Sequence, residues 1–422
     1  MTLIYPLTRQ QKKVISLSSI GGLLEFYDFT IYGIFSAYFS QEFFPNQVPL
    51  VSLIASYSIF VIGYVVRPIG GILFSHIGDE IGRKAVLVFT MVLMGVASIG
   101  MGLLPTYNQI GILAPILMLL FRLIQGLAIG GELPSMIVYV AESMPEKRIY
   151  GMSGIFAGTV AGLLPGMLIQ LLITHYLTSE QISSYGWRIP FLIGGLLCFI
   201  AYQVRKKLHE TAAFNQLKLH NKLPIFKLLR HYWKNVLVGT GLVATMATSI
   251  LLAIIYMPAY LTQIIGISPA IVSQATLITT IVSVIAIYCM PLIAVRYRFD
   301  QFSQRCIMLL VVAGFGCYYL IVNHYNLYFA LIIFAFMQGM VVSLAPIVLS
   351  ELFPVNIRLT GVALSYNMGF VIFGGLTPII VTSLIHQTKE IYWVPSLWLF
   401  LAATLTLFSL RMLKKIGKKF HY

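Results

Sequence analysis

Charged residues are scarce in this chain of 422 residues, and acidic residues are the scarcer sign. Only 10% of the residues are charged, against about 25% in a typical soluble domain, while 59% are hydrophobic. Water is therefore not the main solvent of this chain. A membrane-spanning helix needs roughly 20 apolar residues, and several charge-free runs are that long or longer. These runs are 85–121, 149–179, 235–295, 306–350, 359–388 and 391–410.

Cysteine and histidine are also few, and their placement excludes a disulfide framework or a metal site. Cys198, Cys289, Cys306 and Cys317 lie within or beside apolar runs without paired spacing, so we interpret them as small apolar residues. The eight histidines are scattered over loops and span edges. Catalysis would need a nucleophile with a positioned base or a metal cluster. An intramembrane enzyme is therefore disfavoured, as is a receptor, and no cofactor or metal is expected.

Turn signals divide the longer apolar runs, as at Pro105-Thr106-Tyr107-Asn108, where two helices and a short loop are predicted. The first apolar stretch, from Ser16 to Ser40, is too long for a signal peptide and contains acidic residues, so it is predicted to be a retained span. The sequence thus predicts an all-α polytopic membrane protein with twelve spans. They are 16–40, 51–76, 85–104, 112–139, 151–175, 189–204, 236–263, 270–294, 306–323, 327–349, 359–385 and 393–411.

The net charge of +15 could indicate a nucleic-acid partner, but the placement of the basic residues argues against one. With a cytoplasmic N-terminus, nearly all of the 28 basic residues lie in inside segments, whereas only Arg188 and Lys389 lie outside. This asymmetry follows the positive-inside rule and predicts that both termini are cytoplasmic. The expected macromolecular surroundings are a lipid bilayer, with no nucleic acid, and the protein is expected to be a monomer.

An internal repeat divides the chain into two halves. The predicted domains are a six-helix bundle at 1–204, a basic cytoplasmic linker at 205–235 and a second six-helix bundle at 236–422. The same order of Glu, Pro, Arg and Gly follows the fourth and tenth spans. It reads Glu142, Pro145, Arg148 and Gly151 in the first half, and Glu351, Pro354, Arg358 and Gly361 in the second. Parallel repeats of this size place a substrate site near the midplane between the halves.

Five charged residues fall inside predicted spans, all in the first half: Glu25, Asp28, Arg67, Arg122 and Glu132. A charge at this depth costs several kcal/mol unless it is paired or hydrated, so it marks a candidate functional site. Helix rise places Asp28 and Arg122 near the midplane and the other three nearer the inner face. We expect Asp28, gated by Arg122, to bind a coupling proton, with Glu25 as the competing candidate and Glu132 nearby. The alternative is a set of permanent ion pairs between helices.

Arg67 and Arg122 also indicate the class of solute. The guanidinium fork matches a carboxylate and stays charged at any relevant pH, which favours an anionic or zwitterionic small molecule. Aromatic and amide residues at cavity positions could complete the site, although helix packing is an equally good explanation for each. They are Tyr27, Tyr32, Gln125, Tyr256, Tyr260, Gln338, Tyr366 and Asn367.

Several segments resemble a known transporter group. The segment from Ser75 to Lys84 resembles the Gly-x-x-x-Asp-Arg-x-Gly-Arg-Lys signature of the major facilitator superfamily, with departures at Ser75 and Glu80. The chain is similar, more specifically, to the metabolite:proton symporter family, which carries proline and betaine, α-ketoglutarate, citrate or shikimate. That resemblance rests on Leu24 to Phe29, Arg67 to Gly71, Arg122 to Gly126, Gly130 to Glu132, Trp187 to Phe191, Glu351 to Pro354, Tyr366-Asn367 and Phe373 to Gly375.

The resemblance implies rocker-switch alternating access in a bacterial cytoplasmic (inner) membrane, with proton-coupled import of a small carboxylate-bearing metabolite. Proton-driven export of a metabolite, siderophore or toxic compound is the alternative. It also implies gating on the cytoplasmic side by Asp79, Arg83, Glu142, Arg148, Glu351 and Arg358. Sugar porters are similar in pairing a first-helix Asp with a fourth-helix Arg, which supports Asp28 with Arg122. The segment Leu133-Pro134-Ser135 departs from the family pattern beside the cavity, so no one member's substrate carries over.

Overall fold

A computed structural model of the chain describes residues 7–47, 49–206, 210 and 224–415. In this described part, twelve helices are long and apolar enough to cross a membrane. The predicted all-α class and number of spans are therefore confirmed.

The spanning helices are labelled α1 to α12. The first six are Arg9–Phe43, Pro49–Val65 continued by Arg67–Glu80, Arg83–Leu103, Leu113–Ser143, Arg148–Ala161 continued by Leu163–Tyr176, and Arg188–Arg205. The second six are Trp233–Ile250 with a π-helical turn at Leu251–Ile255, Pro269–Ala294, Phe299–Val322, Leu327–Val342 continued by Leu344–Leu349, Arg358–Phe370 with a π-helical turn at Val371–Gly375 and continued by Thr377–Thr388, and Trp393–Lys415. Short segments between them are Tyr107–Ile110, Ser179–Gln181, Ile182–Gly186, Pro224–His231, Met257–Ala259, Tyr260–Ile264 and Val355–Ile357.

Two helices begin about two turns earlier than their predicted spans. Helix α1 begins at Arg9 because Thr8 and Gln11 form a capping box, in which each side chain accepts a hydrogen bond from the other's backbone N–H. Helix α9 begins at Phe299 with Asp300 in its first turn, where an acidic side chain favours the helix dipole. The charge-free residues mark the part of a helix that lies within lipid, whereas capping decides where the helix itself begins.

The internal repeat is visible in the helix packing. In the first half, α1 packs on α5, α2 on α4, and α3 on α4 and α6. In the second half, α7 packs on α11, α8 on α10, and α9 on α10 and α12, which is the same scheme six helices later. The halves meet through α2 on α11 and α5 on α8, and these two contacts are also related by six helices. The fold is therefore two pseudo-symmetric bundles.

Helix α2 lies very close to α4, and this approach positions the charged residues at their interface. A Cβ at Gly126 would collide with the backbone carbonyl of Gly63, and one at Gly130 would collide with the carbonyl of Arg67. Small residues let helix backbones approach in membranes, where packing replaces the hydrophobic effect between helices. The Arg67 backbone is thus held against α4.

Most of the predicted linker at 205–235 lies outside the described residues, which include only its two ends and Glu210. At its first residue the structure differs from the expectation of a solvated linker. Arg205 is the last residue of α6, and it is buried within the first bundle, with only 2% of the residue exposed. In the sequence, lysines directly follow Arg205, so Arg205 was assigned to the basic linker.

Candidate functional site

The buried charges of the first bundle lie on four helices. Glu25 and Asp28 are on α1, Arg67 is on α2, and Arg122 and Glu132 are on α4, as expected from the span assignments. Arg205, on α6, joins them. Each of the six residues is at most 2% exposed, and together they comprise three carboxylates and three guanidinium groups.

Asp28 lies at the centre of a hydrogen-bonded cluster. The Ser98 hydroxyl donates to its Oδ1, and Gln125 Nε2 donates to its Oδ2 at 3.0 Å. Gln125 Nε2 also donates to the Ser98 hydroxyl at 2.9 Å. Gly194 on α6 leaves room for this carboxylate, because a Cβ there would collide with Asp28 Oδ1.

The link between Asp28 and Arg122 is indirect, whereas we expected them to face each other. Arg122 Nη1 donates to Gln125 Oε1 at 2.6 Å, and the amide of the same Gln125 donates to Asp28. Arg122 Nη1 also donates to the Phe29 carbonyl at 3.2 Å. Gln125 thus connects the two charged groups, a role that its position three residues after Arg122 permits on one helix face.

Arg67 and Arg122 both lie over the ring of Phe29, with each Cζ 4.4 Å from the ring centroid. Arg67 also lies 4.0 Å from the Tyr64 centroid, and Arg122 lies 4.4 Å from that of Tyr32. Aromatic faces stabilise a guanidinium but leave its N–H groups available. In the described part of the chain, Nε and Nη2 of both arginines are buried without a hydrogen-bond acceptor. Two buried sets of donors are therefore available to an anionic group.

Glu132 pairs with Arg205 rather than with a residue predicted from the sequence. Arg205 Nη1 forms an ion pair with Glu132 Oε1 and donates to the Leu87 carbonyl at 3.1 Å. Glu25 is close enough for Glu132, Arg205 and Arg67 to act on its carboxyl group electrostatically. This second cluster is joined to the aromatic site through Arg67.

The other predicted solute-binding residues fall into two groups. Tyr32 contacts Arg122, Tyr366 lies within electrostatic range of Arg67 and Glu25, and Asn367 Nδ2 crosses between the halves to the Gly130 carbonyl at 2.7 Å. The remaining four make packing contacts within one half. They are Tyr27 with the Pro190 carbonyl at 2.8 Å, Tyr256 with Thr382 at 2.9 Å, Tyr260 with the Ile391 carbonyl at 2.9 Å, and Gln338 with Ser283 at 2.8 Å.

The predicted gating residues come together on one face of the molecule, the face that charge placement predicts to be cytoplasmic. Glu142 contacts Arg83 Nε at 3.4 Å and Arg358 Nη1, from the other half, at 3.2 Å. Arg148 pairs with Glu351 across the same boundary. Asp79 Oδ2 accepts from the Thr360 backbone N–H at 3.2 Å and so caps the N-terminus of α11. In the conformation of this structure, these contacts join the two halves at this face.

Sequence reasoning missed two residues of the site. Ser98 carries no charge and lies in an apolar run, and Arg205 stands at the edge of a basic segment. The available signal for Ser98 was weak: a small polar residue at mid-depth of α3, where hydroxyls are used for contacts between helices.

Comparisons with known proteins agree with this architecture. A family model described as Major Facilitator Superfamily matches residues 18–364. A protein of Staphylococcus aureus (strain COL) named "Putative proline/betaine transporter" is 32% identical over 396 residues, covering 90% of this chain and 84% of the relative. The "Proline/betaine transporter" of Escherichia coli (strain K12) is 29% identical, covering 94% and 82%. The solved proton:xylose symporter XylE bound to 6-bromo-6-deoxy-D-glucose matches with a TM-score of 0.78 at 14% identity, covering 96% and 95%.

Proposed function

The chain belongs to the Major Facilitator Superfamily, and from this premise we propose that it imports a small carboxylate-bearing metabolite together with protons. It is a transporter, not an enzyme, and a multi-pass protein of the bacterial cytoplasmic (inner) membrane. The solute is an organic acid or a zwitterion such as proline or betaine. No cofactor takes part, and the proton is the coupling ion.

One observation carries the choice of solute. In the part of the chain that the structure describes, Arg67 and Arg122 both contact the ring of Phe29 and keep buried N–H donors without acceptors. Buried polar groups are normally satisfied, and a charged donor without a partner is especially costly. A carboxylate entering between the halves would satisfy these donors. The names of the relatives from Staphylococcus aureus and Escherichia coli support proline and betaine as the first solutes to test.

Alternating access would follow from the contacts between the halves. The pairs Arg148–Glu351 and Glu142–Arg358 hold one face together, and they involve few enough groups to break in a rocking motion. A rocking motion of the two bundles that breaks these pairs would open that face. Buried carboxylates beside the arginines would carry the proton through this cycle.

The proposal is tested by uptake into proteoliposomes of labelled L-proline, glycine betaine and α-ketoglutarate, with and without an inward proton gradient. We expect at least one of them to accumulate only with the gradient. Arg67→Gln and Arg122→Gln should each raise KM about 10- to 100-fold, because a hydrogen bond to a charged group is worth about 1.5–3 kcal/mol. The exposed Arg298 provides the matched control, and Arg298→Gln should transport normally.

Two outcomes would contradict the proposal. Accumulation only of compounds that have no carboxylate group would remove the argument from the arginines. Gradient-driven movement out of vesicles of known orientation, in the direction that corresponds to exit from the cell, would identify an exporter instead.

A further inference from the structure

Two buried carboxyl groups, Glu25 on α1 and Glu132 on α4, lie close together inside the first bundle. Among the described residues, the Glu132 carboxyl group lies within hydrogen-bonding reach of Glu25 and also acts on it electrostatically. Both side chains are at most 1% exposed. In the described part of the chain, neither oxygen of Glu25 has a hydrogen-bond donor. Two ionised carboxylates cannot satisfy each other, because each only accepts hydrogen bonds.

We infer that Glu25 and Glu132 share one proton, and that this pair, rather than Asp28, is the site of the coupling proton. This inference rests on the proposed proton coupling and assigns it to particular atoms. The proton is bound covalently to an oxygen of one carboxyl group, and this O–H donates a hydrogen bond to the other group, which is ionised. The O–H is the donor that the two carboxyl groups otherwise lack. Like-charged carboxyl groups in one site commonly hold a single proton in this way. On release, the proton passes to water on the opposite side, and both groups are then ionised.

Arg205 is the positioning residue of this pair. Its ion pair with Glu132 and its hydrogen bond to the Leu87 carbonyl fix the guanidinium between α3, α4 and α6. A side chain at position 21 would occupy the same space, because a Cβ at Gly21 would lie 2.5 Å from Arg205 Nη2. Arg205 balances one negative charge, so the pair with one shared proton and Arg205 is neutral as a unit.

Arg67 links this pair to the proposed solute site. It lies over Phe29 and Tyr64 and also acts electrostatically on Glu25. When both glutamates are ionised, Arg67 is the second positive charge that compensates them. A carboxylate bound to Arg67 withdraws that compensation and therefore favours proton uptake by the pair. By reciprocity, the bound proton favours binding of the carboxylate.

Two other titratable groups lie near the pair within the described ranges. Tyr366 on α11 is within electrostatic range of Glu25, and the Cys198 thiol on α6 is within range of both glutamates and Arg205. Asp28, by contrast, accepts hydrogen bonds at both oxygens, from Ser98 and Gln125. It already has the donors that an ionised carboxylate requires.

Infrared difference spectroscopy of the full chain in proteoliposomes, titrated with pH, tests this assignment without knowledge of the solute. The wild-type protein should show a C=O stretching band of a buried protonated carboxyl group that disappears as pH rises. Glu25→Gln should abolish the band, because the ion pair with Arg205 keeps the remaining Glu132 carboxylate ionised. Glu132→Gln should shift the frequency of the band, because the carboxylate that accepts the shared proton is lost. Asp28→Asn should retain the band, and Arg205→Gln should increase it at neutral pH.

Absence of the band in the wild-type protein would overturn the inference, as would its loss in Asp28→Asn with retention in Glu25→Gln. Monodisperse elution and a cooperative thermal transition establish that each variant is folded. Transport provides a separate measurement. With L-proline or glycine betaine as probe, Glu25→Gln should lose accumulation driven by a pH gradient but keep exchange of labelled for unlabelled solute. If neither probe is transported by the wild-type protein, proline and betaine are excluded as solutes, while the infrared result still decides the proton site.

Discussion

Hydrogen bonds from uncharged side chains organise the buried charges at the scale of single residues. Gln125 uses its carbonyl oxygen for Arg122 and its amide nitrogen for Asp28. Ser98 donates to the same carboxylate. The neutral Gln125 side chain connects Asp28 to Arg122. A change in its rotamer can therefore separate the two charged groups without breaking a direct ion pair.

Ser98→Ala is expected to destabilise the protein by about 1–3 kcal/mol, since it leaves a buried carboxylate oxygen short of a donor. Thermal unfolding in detergent measures the effect. Ser36→Ala is the matched control, because the Ser36 hydroxyl is equally buried but donates to the Tyr32 carbonyl within its own helix. Equal losses in the two variants would mean that Ser98 contributes nothing specific to Asp28.

Close contact between α2 and α4 decides the position of Arg67 at the scale of helices. Pro68 follows Arg67 at the start of the second segment of α2, where a residue without a backbone N–H is tolerated. The backbone of Gly130 then packs directly against the Arg67 carbonyl. The guanidinium therefore projects from a rigid point between two helices.

Gly130→Ala is expected to cost about 1–3 kcal/mol through overpacking and to weaken solute binding by displacing Arg67. In the described part of the chain, a Cβ at Gly316 on α9 would meet no atom within 4 Å. Gly316→Ala should therefore be neutral or slightly stabilising, because alanine favours a helix over glycine. Parallel thermal-unfolding and uptake measurements compare the two, and a Gly130→Ala protein as stable and active as Gly316→Ala would contradict the packing argument.

The distribution of contacts between the halves matters at the scale of the whole molecule. Salt bridges and the Asp79 cap gather at one face, whereas the buried charges lie within one bundle. A rigid first bundle can then carry its charges unchanged while the second bundle rocks against it.

Reversing one charge at this face should open it. Arg148→Glu places two carboxylates together across the boundary, and losing a partly exposed pair shifts the equilibrium by about 1 kcal/mol, roughly five-fold. Glu351→Arg in the same chain should restore the closed population. Electron–electron spin distances between labels at Ile81 and Arg298, in a background without the four native cysteines, report the population. A double variant as open as the single variant would show that this pair does not hold the face closed.

Much of the architecture was predictable from the sequence, and the site was predictable in part. Glu25, Asp28, Arg67, Arg122 and Glu132 were identified because a charge in an apolar run is conspicuous. Ser98 was not, because serine is common in spans. Arg205 was assigned to the linker, because the lysines after it mark the end of the membrane but not the end of burial. The predicted orientation of the termini remains a prediction.

The sequence by itself determined the twelve spans, the two-fold repeat and the set of residues that carry charge into the membrane. These are one-dimensional properties, because the bilayer selects apolar length and the sidedness of basic residues directly along the chain. The tertiary structure alone decided how the charged groups are paired. Gln125 bridges Asp28 and Arg122 by hydrogen bonds, and Arg205 forms an ion pair with Glu132. Such pairings depend on the rotation and depth of helices that are distant in the chain, and spacing along one helix does not contain that information.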